Sequence, residues 1–332
     1  MTKISVVIPT RDRWDLATRA INSAAAQSLR PTEIIVVDDG SRESIPAVAA
    51  KAGGAMLKVV RYEPGVNAAH ARNVGFRQAS CELVAFLDSD DQWREDHLIG
   101  AATAFRDSRV LGVIGAYSAY YGDDATVDMR STGQPGSGAF GMLEYLFIEG
   151  GLCRTSTMVI RREALDVVAF DETLAKHQDW DLGIRLADHG GLFYNDRCSA
   201  VVDCTAPSRI SHNVNLEASF KFLDKHKKAM SHQVRNGFLV RVAKSAAMRG
   251  NGRAVRELTL RARRPFGWRI GMRLQGLRLI AAWPRFGRWL ACGYLVLIRL
   301  RNFSRRATAR ISSRRWRRSM SRKGASRRQD RP

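Results

Sequence analysis

Three short apolar runs near the start of the chain each stop at a group of polar or acidic residues. The runs and the groups that follow them are residues 5–9 before 10–13, residues 33–37 before 38–41, and residues 83–87 before 88–91. Continuous apolar runs of this length are typical of parallel strands that are covered on both faces. Because right-handed crossovers bring the carboxyl ends of parallel strands to one edge, the polar groups should meet there. The sequence therefore predicts an α/β fold with a ligand crevice at that edge.

Helical patterns alternate with the predicted strands. Helices are expected at residues 16–27, 68–79 and 182–188, and further strands at residues 57–62 and 156–160. Residues 122–138 are rich in glycine, serine, threonine and aspartate, which predicts a flexible loop. From about residue 219 the pattern becomes helical and basic, and from residue 301 it is a low-complexity run of arginine and serine. This predicts an α/β body followed by helices and a disordered tail.

Charge separates the same two parts of the chain. Residues 1–224 contain 23 Lys and Arg against 30 Asp and Glu, whereas residues 225–332 contain 31 against 2. We therefore divide the chain into a body over residues 1–224, an amphipathic basic helical region over residues 225–300 and an Arg/Ser-rich tail over residues 301–332. The partner of the basic region should be polyanionic, either anionic lipid or nucleic acid.

The cysteines and the N-terminus favour a cytoplasmic protein. The five cysteines are an odd number and include no pair at the spacing of a zinc site, so free thiols are expected. The first nine residues contain one lysine and then enter an apolar strand, without the pattern of a signal peptide. Cytoplasmic residence is therefore the expectation.

Two acidic groups lie at the ends of predicted strands. Asp88 and Asp90 place carboxylates on alternate residues, an arrangement that can hold Mg²⁺ or Mn²⁺, although many such triplets are solvated turns or helix caps. Asp38 and Asp39 are adjacent and repel each other unless a partner compensates. A hydrogen-bonding base or ribose would be such a partner, and the alternative is a capping aspartate before a Gly-Ser turn.

Two further residues have charges that suit a reaction site. Arg72 lies near the start of a predicted helix, where its planar fork could pair with a diphosphate or a base, or it could be an ordinary surface residue. Asp179 heads another predicted helix and is the best candidate for a general base. Its alternative role is that of a first-turn acid that interacts with the helix dipole.

Taken in order, the motifs resemble a known family. They are SVVIPT at residues 5–10, IIVVDDGS at 34–41, ARNVG at 71–75, FLDSDD at 86–91, FDE at 170–172 and QDWDL at 178–182. This series resembles the motifs of the family 2 inverting glycosyltransferases, which have the GT-A fold, a Rossmann-like and mostly parallel sheet flanked by helices. The resemblance extends over about residues 3–215, so residues 1–224 would be the GT-A catalytic domain.

The resemblance implies a role for individual residues. The nucleotide-sugar would contact Pro9, Thr10, Arg11, Asp38, Asp39, Arg72, Asp88 and Ser89. Asp90 would be the direct ligand of Mg²⁺ or Mn²⁺, and Asp179 would deprotonate the acceptor hydroxyl. The SRISH segment at residues 208–212 is similar to a late motif of the family, so His212 would reach the metal or the diphosphate, although a lone histidine is more often structural.

The resemblance also implies a reaction and a product class. One sugar would move from a nucleoside-diphosphate sugar, most commonly a UDP-sugar in this family, to a hydroxyl of a glycan or lipid-linked acceptor in surface polysaccharide synthesis. Two departures from the family pattern are visible: Gln178 stands where many members have glutamate, and the Arg-x-x-Arg-Trp segment of processive members is absent after Asp179. The second departure favours transfer of a single sugar.

The basic helical region has the composition of an interfacial helix. Between residues 268 and 290, aromatic and aliphatic residues interleave with arginines. The apolar run at residues 290–298 is shorter than the roughly twenty residues that a spanning helix requires. We therefore predict that this region lies on the anionic inner face of the cell membrane. The alternative is that these helices pack on the catalytic domain.

Two other functions compete with sugar transfer. A nucleotidyltransferase would share the sheet and the acidic metal site, but the expected glycine-rich, lysine-bearing loop after the first strand is absent. A nucleic-acid-binding protein could use the arginine-rich tail. The interleaved apolar residues make nucleic acid the less favoured partner. The sequence identifies neither the sugar, nor the acceptor, nor the oligomeric state.

Overall fold

The computed structural model describes residues 2–43, 54–122, 126–205, 214–262 and 268–282, which contain nine strands, ten α-helices and two short 3₁₀ helices. The strands are β1 Ile4–Thr10, β2 Glu33–Asp38, β3 Met56–Arg61, β4 Leu83–Phe86, β5 Gln92–Trp93, β6 Val110–Tyr120, β7 Thr126–Met129, β8 Val159–Arg161 and β9 Gly191–Asp203. The helices are α1 Trp14–Ala25, α2 Ala68–Arg77, α3 His97–Ala102, α4 Gly138–Phe147, α5 Arg162–Val167, α6 Gln178–His189, α7 Leu216–His226, α8 His232–Met248, α9 Gly252–Leu260 and α10 Trp268–Ala282.

The strands form one mixed sheet in the order β3-β2-β1-β4-β8-β6-β9-β5, with β7 paired to β6. The first four strands in this order are parallel, and every residue of β1, β2 and β4 is buried. These are the apolar runs of the sequence, so the predicted α/β sheet is confirmed. Beyond β4 the pairings become mixed, because β8 is antiparallel to both β4 and β6.

The strand directions bring many loops to one edge of the sheet. Because β8 is antiparallel to β4 and to β6, strands β4 and β6 point the same way, and β9 is parallel to β6. The carboxyl ends of β1, β2, β4, β6 and β9 therefore lie at a single edge, together with the amino end of β8. We call this edge the carboxyl rim.

Helix α2 packs closely on the parallel half of the sheet. The Asn67 side chain caps the helix by accepting hydrogen bonds from the backbone N–H groups of Ala69 and His70. A Cβ atom on Gly75 would lie 2.3 Å from Val7 Cγ1, so only glycine permits this close approach. The first turn of α2 is thereby held beside the carboxyl rim.

Three sequence-based assignments need correction or addition. The predicted loop at residues 122–138 contains strand β7, which is stabilised by antiparallel pairing with the end of β6 rather than by a recognisable local pattern. The predicted strand at residues 156–160 begins as a 3₁₀ turn, Thr155–Thr157, and β8 follows it. The long strands β6 and β9 were not anticipated from the sequence.

An aromatic cluster joins the C-terminal helices to the body. Phe238 of α8 and Phe222 of α7 stack with their ring centroids 5.2 Å apart, and Phe147 of α4 lies edge-on to Phe238 at 5.3 Å. Helices α7 and α8 therefore pack on the body. The expected boundary between residues 224 and 225 falls within the last turn of α7, and the division into domains stays a prediction.

The last described helix is α10, in which Leu274 and Leu277 are buried and Met272 is 59% exposed. The apolar run at residues 290–298 and the tail from residue 301 lie outside the described residues. Among the helices within the described ranges, none has the length and apolar character needed to cross a membrane.

Candidate active site

The ends of β1 and β2 form the first part of the site. Asp39 Oδ1 accepts hydrogen bonds from the Tyr62 hydroxyl at 2.5 Å and the Val66 N–H at 2.7 Å, and its other oxygen lies 4.0 Å from Arg11 Nη1. Asp38 is fully buried, and its Oδ1 accepts from the backbone N–H of Ser41 at 3.0 Å. Asp38 thus stabilises the turn, while Asp39 holds the next loop in place.

An open cleft of 630 Å³ lies beside these aspartates. Its lining residues are Arg11, Gly40, Ser41, Arg42, Arg61, Glu63, Pro64 and Gly65. Gly40 has a φ of 72°, and a Cβ on Gly65 would lie 2.1 Å from the carbonyl oxygen of Asp39, so glycine is needed at both positions. Nearby, the Thr10 hydroxyl is buried and has no hydrogen-bond partner within the described residues. Such a group suits a polar ligand.

Arg72 connects two motifs that are distant in sequence. Its Nη2 donates to Asp88 Oδ1 at 2.6 Å and its Nη1 donates to Gln178 Oε1 at 2.8 Å. The guanidinium also lies 5.3 Å from the centroid of the Phe170 ring. Because the Arg72 side chain is only 7% exposed, it is a buried link and not the surface residue of the alternative reading.

The acidic residues after β4 form a compact cluster. One carboxylate oxygen from each of Asp88, Asp90 and Asp91 lies within 4.8 Å of the others. Asp90 is 3.5 Å from Arg13 Nη1. Asp91 accepts hydrogen bonds from the Ser156 hydroxyl at 2.6 Å and from the Asp203 N–H at 3.1 Å, which occupies both of its oxygens.

The chemistry of this cluster fits a divalent cation. Mg²⁺ and Mn²⁺ take oxygen ligands, and Asp88 and Asp90 are the carboxylates best placed to supply them, since Asp91 is engaged in structural hydrogen bonds. Ser89, between them, has a buried hydroxyl that makes no hydrogen bond within the described part of the chain. His212, the other residue expected at the metal, lies outside the described residues.

Asp179 occupies the first turn of α6. Its Oδ1 accepts a hydrogen bond from the Trp180 N–H at 2.9 Å, and the Cys153 thiol donates to its backbone oxygen at 3.3 Å. Burial raises the pKa of Asp179, and the charge of Asp88 raises it further, while the charges of Arg154 and Arg72 oppose the increase. A carboxylate with a raised pKa is better suited to accept a proton than an ordinary aspartate.

The expected site residues meet at the carboxyl rim. Those within the described ranges are Pro9, Thr10, Arg11, Asp38, Asp39, Arg72, Asp88, Ser89, Asp90 and Asp179. The contacts Arg11–Asp39 and Arg13–Asp90 link the ends of neighbouring strands, and the contact Arg72–Asp88 joins α2 to the end of β4. Gln178 accepts a hydrogen bond from Arg72 and is the residue before Asp179, the base candidate, so it joins Asp179 to these contacts. The individual roles of these residues stay predictions.

Sequence reasoning missed Arg154, which precedes β8 at the same rim. Its guanidinium lies 5.3 Å from the centroid of the Tyr117 ring on β6. Arg154 could have been identified as a candidate from its position just before the strand-like run at residues 156–160. Because that strand was not recognised as antiparallel, its amino end was not assigned to the rim.

The fold is similar to those of two solved glycosyltransferases. Staphylococcus aureus TarS 1–349, solved in complex with UDP-GlcNAc, has a TM-score of 0.57 and 20% identity, covering 86% of this chain and 88% of TarS 1–349. The mannosyltransferase PcManGT from Pyrobaculum calidifontis, solved with GDP-Man and Mn²⁺, has a TM-score of 0.53 and 17% identity, covering 91% of this chain and 87% of that one. These likenesses define a protein with the GT-A fold.

The sequence identifies the family. Residues 5–168 match the model described as Glycosyl transferase family 2. The amylovoran biosynthesis glycosyltransferase AmsB of Erwinia amylovora is 31% identical over 200 residues, which is 57% of this chain and 65% of AmsB. The chain spans less than two thirds of the length of the curated relatives that it matches. Over residues 5–168 the chain belongs to glycosyl transferase family 2.

Proposed function

We propose that this protein transfers one sugar from a UDP-sugar to a hydroxyl of a glycan or lipid-linked acceptor, with inversion at the anomeric carbon, in surface polysaccharide synthesis. The observation that carries the proposal is the pair of hydrogen bonds from Arg72 to Asp88 and Gln178, because it brings the acidic cluster beside Asp179. The UDP-GlcNAc complex of TarS and the similarity to AmsB, an amylovoran biosynthesis glycosyltransferase, support the donor and the product class.

Each part of the rim has a task in this proposal. Thr10 and Asp39 hold the base and the ribose beside the open cleft, and Arg13 and Arg72 hold the diphosphate. Asp179 accepts the proton of the acceptor hydroxyl as its oxygen attacks the anomeric carbon from the face opposite the leaving nucleotide. One displacement of this kind inverts the anomeric centre and needs no covalent intermediate.

Asp88 and Asp90 would hold Mg²⁺ or Mn²⁺ in this reaction. When bound, such an ion stabilises the negative charge that develops on the leaving diphosphate. The Mn²⁺ complex of PcManGT supports a divalent cation, and the family match favours sugar transfer over nucleotidyl transfer.

Donor hydrolysis tests the proposed function without knowledge of the acceptor. We expect the purified full-length chain with Mn²⁺ to hydrolyse one UDP-sugar slowly. The rate should be about tenfold or more higher than the rates for the matched GDP- and CDP-sugars. EDTA should stop the reaction and added Mn²⁺ should restore it. The Asp224→Asn variant is the control, because that side chain is 72% exposed and lies on α7. A protein that neither hydrolyses nor binds any nucleotide sugar would contradict the proposal.

We also propose that the basic region holds the enzyme on an anionic membrane surface. The region from residue 225 has 31 basic against 2 acidic residues, and each basic residue near an anionic leaflet contributes about 1 kcal/mol. The full-length chain should sediment with phosphatidylglycerol vesicles at low salt, stay in solution with phosphatidylcholine vesicles, and be released by high salt. Absence of vesicle binding together with steeply salt-dependent RNA binding would favour nucleic acid instead.

A further inference from the structure

One face of helix α7 packs against the first turn of α6, the turn that contains Asp179. Ser219, Phe222 and His226 of α7 are three and four residues apart, so they lie on one face of the helix, and all three are buried. Helix α7 follows the family-matched residues 5–168. The surroundings of the proposed general base therefore include a helix from outside the matched region.

His177 begins α6 in a conformation that needs support from elsewhere. It is the N-cap residue with a φ of 63°, and within the described residues its side chain does not cap the helix. A residue other than glycine keeps this left-handed conformation only where the surrounding structure holds it. The Ser219 hydroxyl donates to the Asn215 carbonyl at 3.0 Å, so it accepts from His177 Nε2, which is 2.9 Å away. The turn that precedes Asp179 is thereby anchored to α7.

The ring of His177 also packs on Trp180, the residue after Asp179. The two rings stack with their centroids 4.5 Å apart and an angle of 12° between their planes. Phe222 of α7 lies edge-on to the imidazole at 5.3 Å. The Trp180 N–H donates to Asp179 Oδ1 at 2.9 Å, so the position of this carboxylate depends on a turn whose rings pack against α7.

Asp181, two residues after Asp179, is held by the same helix. Its Oδ1 lies 2.9 Å from His226 Nε2 and 2.7 Å from Lys225 Nζ, both on α7. Its Oδ2 accepts a hydrogen bond from Arg185 of α6 at 2.6 Å. Burial raises the pKa of Asp181, but the hydrogen bonds from His226 and Lys225 lower it well below its ordinary value. Asp181 is therefore an ionised, fully buried carboxylate, which is costly to deprive of a donor.

We propose that Ser219 and His226 are positioning residues for the general base. By holding His177 and Asp181 on either side of Asp179, they fix the first turn of α6 and with it the direction of the Asp179 carboxylate. Proton transfer depends strongly on such placement, since a shift of about 1 Å can lower a rate about 10²-fold. This inference rests on the proposed glycosyl transfer and adds α7 to the parts of the chain that the reaction requires.

Single replacements in the full-length protein test this role. Ser219→Ala removes the acceptor of the His177 N–H, and His226→Leu removes a donor to Asp181. We expect each to lower kcat for UDP-sugar hydrolysis about tenfold or more, and to change the donor KM and the affinity for UDP with Mn²⁺ by less than about twofold. His226→Gln places an amide N–H close to the position of Nε2 and should restore most of the rate.

Two controls separate positioning from a general loss of stability. His232→Leu makes the matched replacement at an exposed histidine at the start of α8. Leu258→Ala removes a fully buried side chain of α9 and should lower the free energy of unfolding. Both variants should keep the wild-type kcat. A loss of kcat in Leu258→Ala equal to that in Ser219→Ala would trace the effect to stability and overturn the inference.

A double-mutant cycle connects the effect to Asp179. In the Asp179→Asn background no base remains to be positioned, so Ser219→Ala should change the residual rate by less than about twofold. This cycle decides the matter even if His226→Leu does not fold. Full activity of either single variant, or an equal loss of rate with and without Asp179, overturns the inference and leaves the proposed function standing. A wild-type protein that neither binds nor hydrolyses any nucleotide sugar contradicts the proposed function itself.

Discussion

Replacing Asp179 by asparagine is expected to lower the rate of sugar transfer by about 10²- to 10⁴-fold and to leave the fold intact. Asparagine has nearly the same shape and still accepts the hydrogen bond of the Trp180 N–H, but it cannot take a proton from the acceptor hydroxyl. The loss should fall on kcat, with little change in UDP affinity. Steady-state kinetics with the identified UDP-sugar, together with circular dichroism, measure both parts of this expectation.

The pH dependence of the wild-type enzyme gives a second readout for the same residue. Asp179 can accept a proton only when it is ionised, so activity should fall as the pH is lowered through its pKa. Because burial raises that pKa, the fall should begin at a higher pH than for an ordinary aspartate. The residual activity of Asp179→Asn should lack this acidic limb. A fully active Asp179→Asn enzyme would contradict the assignment of the base.

Replacing Asp90 by alanine is expected to remove the Mn²⁺-dependent activity almost entirely. Loss of a carboxylate ligand should weaken the ion's stabilisation of the leaving diphosphate, which is worth several kcal/mol, or roughly a 10²- to 10³-fold rate effect. Direct titration of Mn²⁺ in the presence of UDP should show weaker binding by the variant. Donor hydrolysis at saturating UDP-sugar should fall in parallel.

Two controls separate a metal effect from a folding effect at Asp90. Asp224→Ala removes a 72% exposed carboxylate and should change neither Mn²⁺ binding nor hydrolysis. Asp91→Asn alters the neighbour that is hydrogen-bonded to Ser156 and Asp203, so its main effect should be a lower free energy of unfolding. An Asp90→Ala protein with unchanged Mn²⁺ dependence would show that the ion, if required, is held elsewhere.

The parallel half of the sheet was predictable because its signals are local. Apolar runs mark β1, β2 and β4, and the polar residues that end each run lie at the rim where strand direction requires them. The positions of Asp39, Asp88 and Asp90 follow from this rule alone. The predicted strand at residues 57–62 is also confirmed. It is β3, which begins and ends one residue earlier than predicted and forms the partly exposed edge of the sheet.

The other half of the site depends on contacts that no local pattern encodes. Strand β9 follows α6 along the chain but pairs with β6 and β5, and β8 reverses direction between β4 and β6. These pairings bring Tyr117 and Arg154 together. Arg241 of α8 lies over the ring of Trp180, the residue next to Asp179, although α8 was expected to belong to a separate basic region. Long-range packing of this kind cannot be read from charge or periodicity.

The amide of Gln178 has a consequence for how a donor could enter. Its oxygen accepts from Arg72 while its nitrogen donates to the Leu174 carbonyl at 2.6 Å, a pair of roles that an ionised glutamate could not fill. If Arg72 binds the donor phosphate as proposed, its Nη1 would exchange one neutral contact, and not an ion pair, for the phosphate. That exchange would leave no unpaired charge in the protein, so loading and release of the nucleotide would avoid an electrostatic penalty at this position.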